Sequence, residues 1–399
     1  MSFVLPQSGG QYEAAISFNG MVITSDSKLC VNPNSQYSIS AVRFAYGFSF
    51  TGWSPGPSNP KAVDTSVAGG GTLTLYATQV SNPVAVTALS FPSSPSGSSV
   101  ADLIINSYYF QSGESTYLSA NTPYSLSASS FSGSYRFWQW ATSTGSLSNA
   151  TSPSTVLDVG SSGGDVSLIS LLTPTNWGGY AVGGSNLNNI SATVTLPALA
   201  SGRGCAPSTP CPSQTFEDIS FWVGLGGFYN GTEFWQAGVD IQFSQGSMVI
   251  VPWYEALGAG CGVVNKSCRP VYGTLQFSLG NRVSESVATA AGTSTFFIEN
   301  LNTSQVWRGS VSWTPSVSTA EWIGESPSAS QPYFGGEPAF SPAEFSSLGI
   351  NGSSVSLASQ RVTAVQSNSP YYAGAYITPT YLTASTGWAE FYLANSLTG

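Results

Sequence analysis

The chain contains no histidine, and its 399 residues carry only 10 Lys+Arg and 19 Asp+Glu. Charged side chains make up 7%, against about 25% in an ordinary soluble domain. Lysine occurs only at 28, 61 and 266. Without imidazole there is no Ser-His-Asp triad, no Cys-His dyad, no HExxH zinc site and no histidine general base. Any chemistry must run on carboxylates, amides, hydroxyls or backbone. A formal net charge of -9, a pI near 4.4 and the lack of a basic cluster argue against nucleic acid as a partner.

Low charge does not mean disorder here. Hydrophobic residues reach 41%, with 11 Trp, 19 Tyr and 21 Phe, whereas disordered chains combine high charge with few aromatics. The shortage of basic residues also bounds behaviour in acid. Once the carboxylates are neutral, positive charge is limited to the 10 Lys+Arg and one terminus, so self-repulsion stays small. A Ser/Thr/Gly-rich secreted surface protein without acid adaptation has the same composition. Composition alone leaves both readings open.

No uninterrupted apolar run of about 18 residues is present to span a membrane, and MSFVLPQSGG lacks the basic and apolar regions of a signal peptide. Sequons stand at Asn149, Asn189, Asn230, Asn265, Asn302 and Asn351. Cys205 and Cys211 bound CAPSTPC, and Cys261 and Cys268 bound CGVVNKSC. Disulfides in an oxidising compartment are the natural reading, paired locally or crosswise. Without His or CxxC spacing no metal or other cofactor is expected. Cys30 is left over and is expected to be a buried free thiol. Together these features predict a mature or trimmed secreted, extracellular or cell-surface chain.

Short alternating runs such as YSLSASSF, STVLDV, ISATVTL and FFIENL, bounded by Gly, Pro, Asn and Ser, predict an all-β fold. The 43 Gly and 24 Pro supply many turns. NSQYSISAVRFAYGFSFTGWS (34–54) aligns with NTPYSLSASSFSGSYRFWQWA (121–141). Tyr37 matches Tyr124, Phe48 matches Tyr135, Phe50 matches Phe137 and Trp53 matches Trp140, each pair 87 residues apart. Two small immunoglobulin-like β-sandwich repeats are therefore expected, at 1–85 and 86–173. Neither copy carries a catalytic constellation. Asp64 opens an Asp-Thr-Ser without a second partner, so a pepsin-like dyad is not supported. A spacer, adhesive or glycan-associating module is the plainer expectation for them.

From about residue 174 Trp and carboxylates share short motifs: TNWGGY (175–180), FWVGLGG (221–227), FWQAGVD (234–240), PWYE (252–255) and AEWIGE (320–325). In this order, and continuing through SATVTLPAL, STFFIENLNTSQ and FSPAEFSSLGINGSSVSLAS, the set resembles the fungal glutamic peptidases, the eqolisins, over about 174–368. The resemblance implies a concanavalin-like antiparallel β-sandwich at 174–399, acting on proteins or peptides in an acidic environment. It places the catalytic glutamine of the family's Q-x-G-x-D run on Gln236 and the catalytic glutamate on Glu325, with Glu321 opening the same run. Glu325 would take a proton from water and return it to the leaving amine, while the Gln236 amide holds the water and stabilises the oxyanion. Trp177, Trp222, Trp253 and Tyr254 match aromatics that line the cleft, and Asp240 and Glu255 match acidic neighbours of the catalytic pair. One departure stands out: the family's W-V-G-x-D run reads WVGLGG, so Gly226 replaces an aspartate.

The residue chemistry agrees with this assignment. Peptide hydrolysis needs a proton acceptor, an oxyanion donor and a positioned water, and a Glu with a Gln supplies them without imidazole. A glutamate near its ordinary pKa of about 4.3 suits acid pH. Strand alternation puts Glu321, Ile323 and Glu325 on one face, and likewise Phe234, Gln236 and Gly238. The rival expectations are a glycan-binding or glycan-hydrolysing protein using Glu321 and Glu325, and an inactive surface or adhesion protein.

Overall fold

The computed structural model describes residues 2–8, 11–12, 14–18, 21–31, 36–42, 48–54, 61–64, 72–91, 100–106, 108–199, 216–228, 233–244, 247–258, 270–325, 334–336, 338, 340–367, 377–385 and 388–395. Every regular element among them is a strand, as the alternating runs require. Cysteines 205, 211, 261 and 268, whose disulfides were expected, and the sequons at Asn230 and Asn265 lie outside the described residues. The chain divides into two compact units, 1–133 with 137–170, and 134–136 with 171–399.

In the first unit the strand pairing itself repeats. Ala15–Phe18 joins Met21–Ile23 to Gln36–Val42, which pairs with Lys61–Asp64. Leu103–Ile105 joins Tyr108–Phe110 to Pro123–Ala128, which pairs with Ser154–Asp158. In both copies the opening strand runs parallel to the closing one, Ser2–Val4 beside Thr72–Gln79 and Pro83–Phe91 beside Gly164–Thr175. Phe3, Ile16, Ile39 and Leu75 fill one core, and Val86, Leu103, Leu126, Trp140 and Val166 fill the other. Cys30 is exposed, not buried as expected. It follows the edge strand Ser27–Lys28 and points outward between Leu29 and Val31, which pack against the core.

The second unit is built from two antiparallel sheets. Its main strands are β1 (Trp177–Gly183), β2 (Asn189–Thr195), β3 (Phe216–Gly226), β4 (Phe234–Ser244), β5 (Ser247–Leu257), β6 (Val271–Tyr272), β7 (Arg282–Ala290), β8 (Thr293–Asn300), β9 (Gln305–Val311), β10 (Thr319–Glu325), β11 (Ala343–Ile350), β12 (Arg361–Ser367), β13 (Ile377–Pro379) and β14 (Trp388–Asn395). The front sheet runs β12-β1-β10-β3-β4-β5-β6, and the back sheet β9-β8-β7-β2-β11-β14-β13. Aromatic side chains weld the facing surfaces. Phe221 of β3 meets Phe345 of β11 at 6.4 Å between centroids, and Tyr180 of β1 meets Phe391 of β14 at 4.9 Å. The Trp322 indole of β10 donates to the Ser191 carbonyl of β2 at 2.9 Å. Because Trp322 points at the back sheet, period-2 alternation turns Glu321, Ile323 and Glu325 to the other face of the front sheet.

Candidate active site

Cross-strand register sorts that outward face into three rows. The first places Trp177 (β1), Glu325 (β10), Ser220 (β3) and Asp240 (β4) side by side. The second holds Gly179, Ile323, Trp222, Gly238, Trp253 and Tyr272. The third holds Ala181, Glu321, Gly224, Gln236 and Glu255. Gln236 and Glu325 thus share a face but stand in the outer rows, with β3 between their strands. Two strand spacings of about 4.8 Å and four residues at about 3.3 Å rise separate their backbones. No hydrogen bond joins their side chains.

Glu325 is held by donors. Asn176 Nδ2 donates to Oε1 at 2.6 Å and Trp222 Nε1 to Oε2 at 3.0 Å, and the Trp177 indole adds a third hydrogen bond. Burial nonetheless pushes its pKa up to about 7, against the pull of the two tryptophans. The charges of Asp240 and Glu255 push the same way. The carboxyl is therefore not the near-ordinary glutamate expected from the sequence, because desolvation outweighs the donors that favour its ionised form.

Gln236 is anchored from the neighbouring strand. Its Nε2 donates to Glu255 Oε2 at 2.8 Å, while its Oε1 is buried without a partner. Burial raises the Glu255 pKa and the Gln236 amide partly offsets that. Glu321 is fully enclosed, and desolvation lifts its pKa well above the carboxylate range. The Thr319 hydroxyl and Phe228 backbone N–H lower it slightly, without reaching hydrogen-bond geometry.

Ile323, Trp222 and Trp253 of the middle row pack into one apolar cluster with Trp177 of the first row and with Phe234 and Leu257 beyond the third. Trp177 sits edge-on to Trp222 at 5.0 Å and tilted against Phe234 at 5.4 Å. The missing side chain of Gly224 makes room for this, since a Cβ there would meet Trp222 Cζ3 at 2.8 Å and Phe234 Cε2 at 3.0 Å.

Beside Glu325 lies a pair of buried aspartates. Asp240 accepts from the Ser220 hydroxyl and, at 3.2 Å, from Gln242 Nε2, and the Tyr272 hydroxyl also lowers its pKa. Burial still raises that pKa to about 6. Asp218, two positions before Ser220 on the same face, is raised well above its usual range by burial and by the charge of Asp240. Each carboxyl opposes ionisation of the other, so the two titrate as a pair.

Two expectations change at this point. Tyr254 does not lie on the site face. It stacks on Phe296 of the back sheet at 4.4 Å and 11°, and its ring fills the space over Gly309. Its neighbours Trp253 and Glu255 face the site, so alternation sends Tyr254 the other way. Gly226 has φ +85°, and a Cβ there would meet the Glu233 carbonyl at 2.3 Å. The replacement of aspartate is thus tied to the local backbone. The sequence also left Asn176, Asp218, Ser220 and Tyr272 unassigned. Asn176 lies inside the flagged TNWGGY and Ser220 directly precedes FWVGLGG, and those positions are the available signal.

Comparison with known proteins bears on this geometry. A search of curated proteins found no match. Among solved structures, scytalido-glutamic peptidase with a transition state analog inhibitor matches at 22% identity and TM-score 0.40, covering 55% of this chain and 98% of that one. SCP-B, an eqolisin in complex with the tripeptide Ala-Ile-His, matches at 20% identity and TM-score 0.39 with the same coverage. Aspergilloglutamic peptidase from Aspergillus niger matches at 17% identity and TM-score 0.30, covering 45% of this chain and 99% of that one. Residues 175–386, more than half of the chain, match the profile of the Peptidase A4 family. With that match spanning every residue of the three rows, the chain belongs to the Peptidase A4 family, the eqolisin-type glutamic peptidases.

Proposed function

We propose that the chain is a secreted endopeptidase acting on the acid side of neutrality, with Glu325 as general base and acid and Gln236 as oxyanion donor. Membership of the family implies protein or peptide substrates. The observation that carries the residue assignment is the contrast between the two outer rows. Glu325 is a carboxyl gripped by N–H donors, and Gln236 is an amide tethered through one nitrogen with its oxygen left open. Ile323, Trp222 and Trp253 occupy the row between them, and a scissile peptide with its water would lie across that row. Ionised Glu325 takes the water proton and passes it to the leaving amine. One Nε2 hydrogen of Gln236 holds Glu255, and the second is free to meet the carbonyl oxygen as it gains charge.

The raised pKa of Glu325 sets a lower limit to this action. The base must be ionised, so kcat/KM rises with pH through the Glu325 pKa. Water admitted to the free site relieves desolvation, the largest cause of the shift, and moves that pKa down from about 7. The upper limit comes from the fold, whose buried carboxyls favour acid. We take 174–399 as the peptidase domain and the repeats at 1–85 and 86–173 as a spacer or capture segment.

Release of peptides from denatured casein across pH tests the proposal. Cleavage should survive pepstatin and chelators and vanish in Glu325→Gln and Gln236→Ala. Full activity in Glu325→Gln would overturn the assignment.

A further inference from the structure

Besides oxygens of the carboxyls Asp218 and Glu321, the buried and unpartnered hydrogen-bonding atoms of the site face are an acceptor at Gln236 Oε1 and a donor at Trp253 Nε1. Three other buried indoles among the described residues are satisfied. Trp222 donates to Glu325, Trp322 to the Ser191 carbonyl and Trp140 to the Ser152 carbonyl. Trp235 Nε1 is a further orphan, but it follows Phe234 and precedes Gln236 on β4 and so faces the back sheet. Only Trp253 combines an unspent indole N–H with a place in the rows of the site.

Its position is set by a glycine. Gly238 is the register partner of both Trp222 and Trp253. A Cβ on Gly238 would meet the Phe221 carbonyl at 2.1 Å and Trp222 Cβ at 2.5 Å, so the position admits no side chain. Gly238 thus lets β3 approach closely and stands in register between the two tryptophans. Gln236 lies two residues along the same strand on the same face, a diagonal cross-strand neighbour of Trp253 within reach of long side chains. An extended peptide presents alternating C=O and N–H groups, and a neighbouring donor and acceptor match that pattern. Both atoms are shut off from solvent, so the packing over them has to shift to admit a peptide.

Resting on the peptidase reading above, we infer that the Trp253 indole N–H donates to a main-chain carbonyl of the bound peptide, so that Trp253 binds substrate by a hydrogen bond and not only by its apolar face. The bond forms in the ground state and persists through the reaction, which makes it uniform binding.

Two replacements isolate the N–H. Trp253→Phe removes it with part of the ring, and benzothienylalanine at 253 keeps the shape with sulfur in its place. Both should lower kcat/KM by about 5-fold, the cost of one neutral hydrogen bond, through a higher KM with kcat nearly unchanged. In Glu325→Gln, addition of a peptide should move the Trp253 indole 15N–1H resonance downfield. Unchanged kcat/KM in both replacements, or a fixed resonance while the peptide binds, would overturn the inference. Failure of the peptidase reading shows separately, as no cleavage by wild type at any pH, and a binding titration with a non-cleavable peptide still decides the role of Trp253.

Discussion

Glu325 stands between opposing forces, burial that favours its neutral form and three N–H donors that favour its charge. Removing a donor should tip the balance. Asn176→Ala deletes the 2.6 Å hydrogen bond to Oε1, and a bond to a charged group contributes about 1.5 kcal/mol, roughly one pKa unit. The acid limb of kcat/KM should therefore move up by about one pH unit, read from the pH profile of the variant. Gly226 poses a different residue-scale problem. Gly226→Asp would restore the residue common in the family, yet φ +85° and the Glu233 carbonyl at 2.3 Å oppose any Cβ. Thermal unfolding should show a loss of about 2 kcal/mol, with no gain in activity. A more stable Gly226→Asp would mean that this backbone relaxes freely.

At the scale of elements, β5 shows how one strand serves two purposes. Trp253 and Glu255 point to the site, and Tyr254 between them packs on Phe296 and Trp307. Tyr254→Ala should cost about 2 kcal/mol of stability through lost apolar burial while leaving KM for peptides nearly unchanged, as unfolding and kinetics measured on one preparation can show. A large rise in KM would return Tyr254 to the cleft. The register also explains why Gln236 and Glu255 meet. They are direct cross-strand partners, and a one-residue slip would send both to the wrong face.

For the whole molecule, the buried carboxyls share one sign. Glu114 in the first unit is lifted to about 7, chiefly by burial. Asp218, Glu285 and Glu321 in the second are lifted well above the carboxylate range for the same leading reason. A folded-state pKa raised above the unfolded value favours the folded chain below the unfolded pKa of about 4.3, and that stability is lost as pH rises. Glu285 is the clearest instance. It is fully buried on β7, both its oxygens lack partners, and its cross-strand neighbours are Ala192 and Ile298. Facing it from the front sheet, β3 and β4 offer Ile219, Phe221, Val223, Ala237, Val239 and Ile241, none of them charged. Tyr254, which stacks on Phe296, is the titratable group that β5 turns toward this layer. The melting temperature of wild type should fall between pH 4 and 7. Glu285→Met should flatten that slope and gain about 2 kcal/mol at pH 7. Parallel slopes for the two proteins would show that Glu285 does not titrate on unfolding.

The sequence by itself determined which chemistry is open to this protein. The lack of histidine left carboxylates and amides, and alternation within FWQAGVD and AEWIGE already put Gln236 with Gly238, and Glu321 with Glu325, on common faces. The strand content and the repeat were legible for the same reason, because period-2 patterning is local. Tertiary structure decided the rest. Every residue from Thr319 to Gly324 is buried, so hydropathy could not tell the site face from the core face. The donors to Glu325 come from Asn176 and Trp222, 149 and 103 residues away, and the desolvation that raises its pKa comes from strands that only folding brings together. The same long-range packing turned Tyr254 onto Phe296 of the back sheet and left Cys30 on the surface.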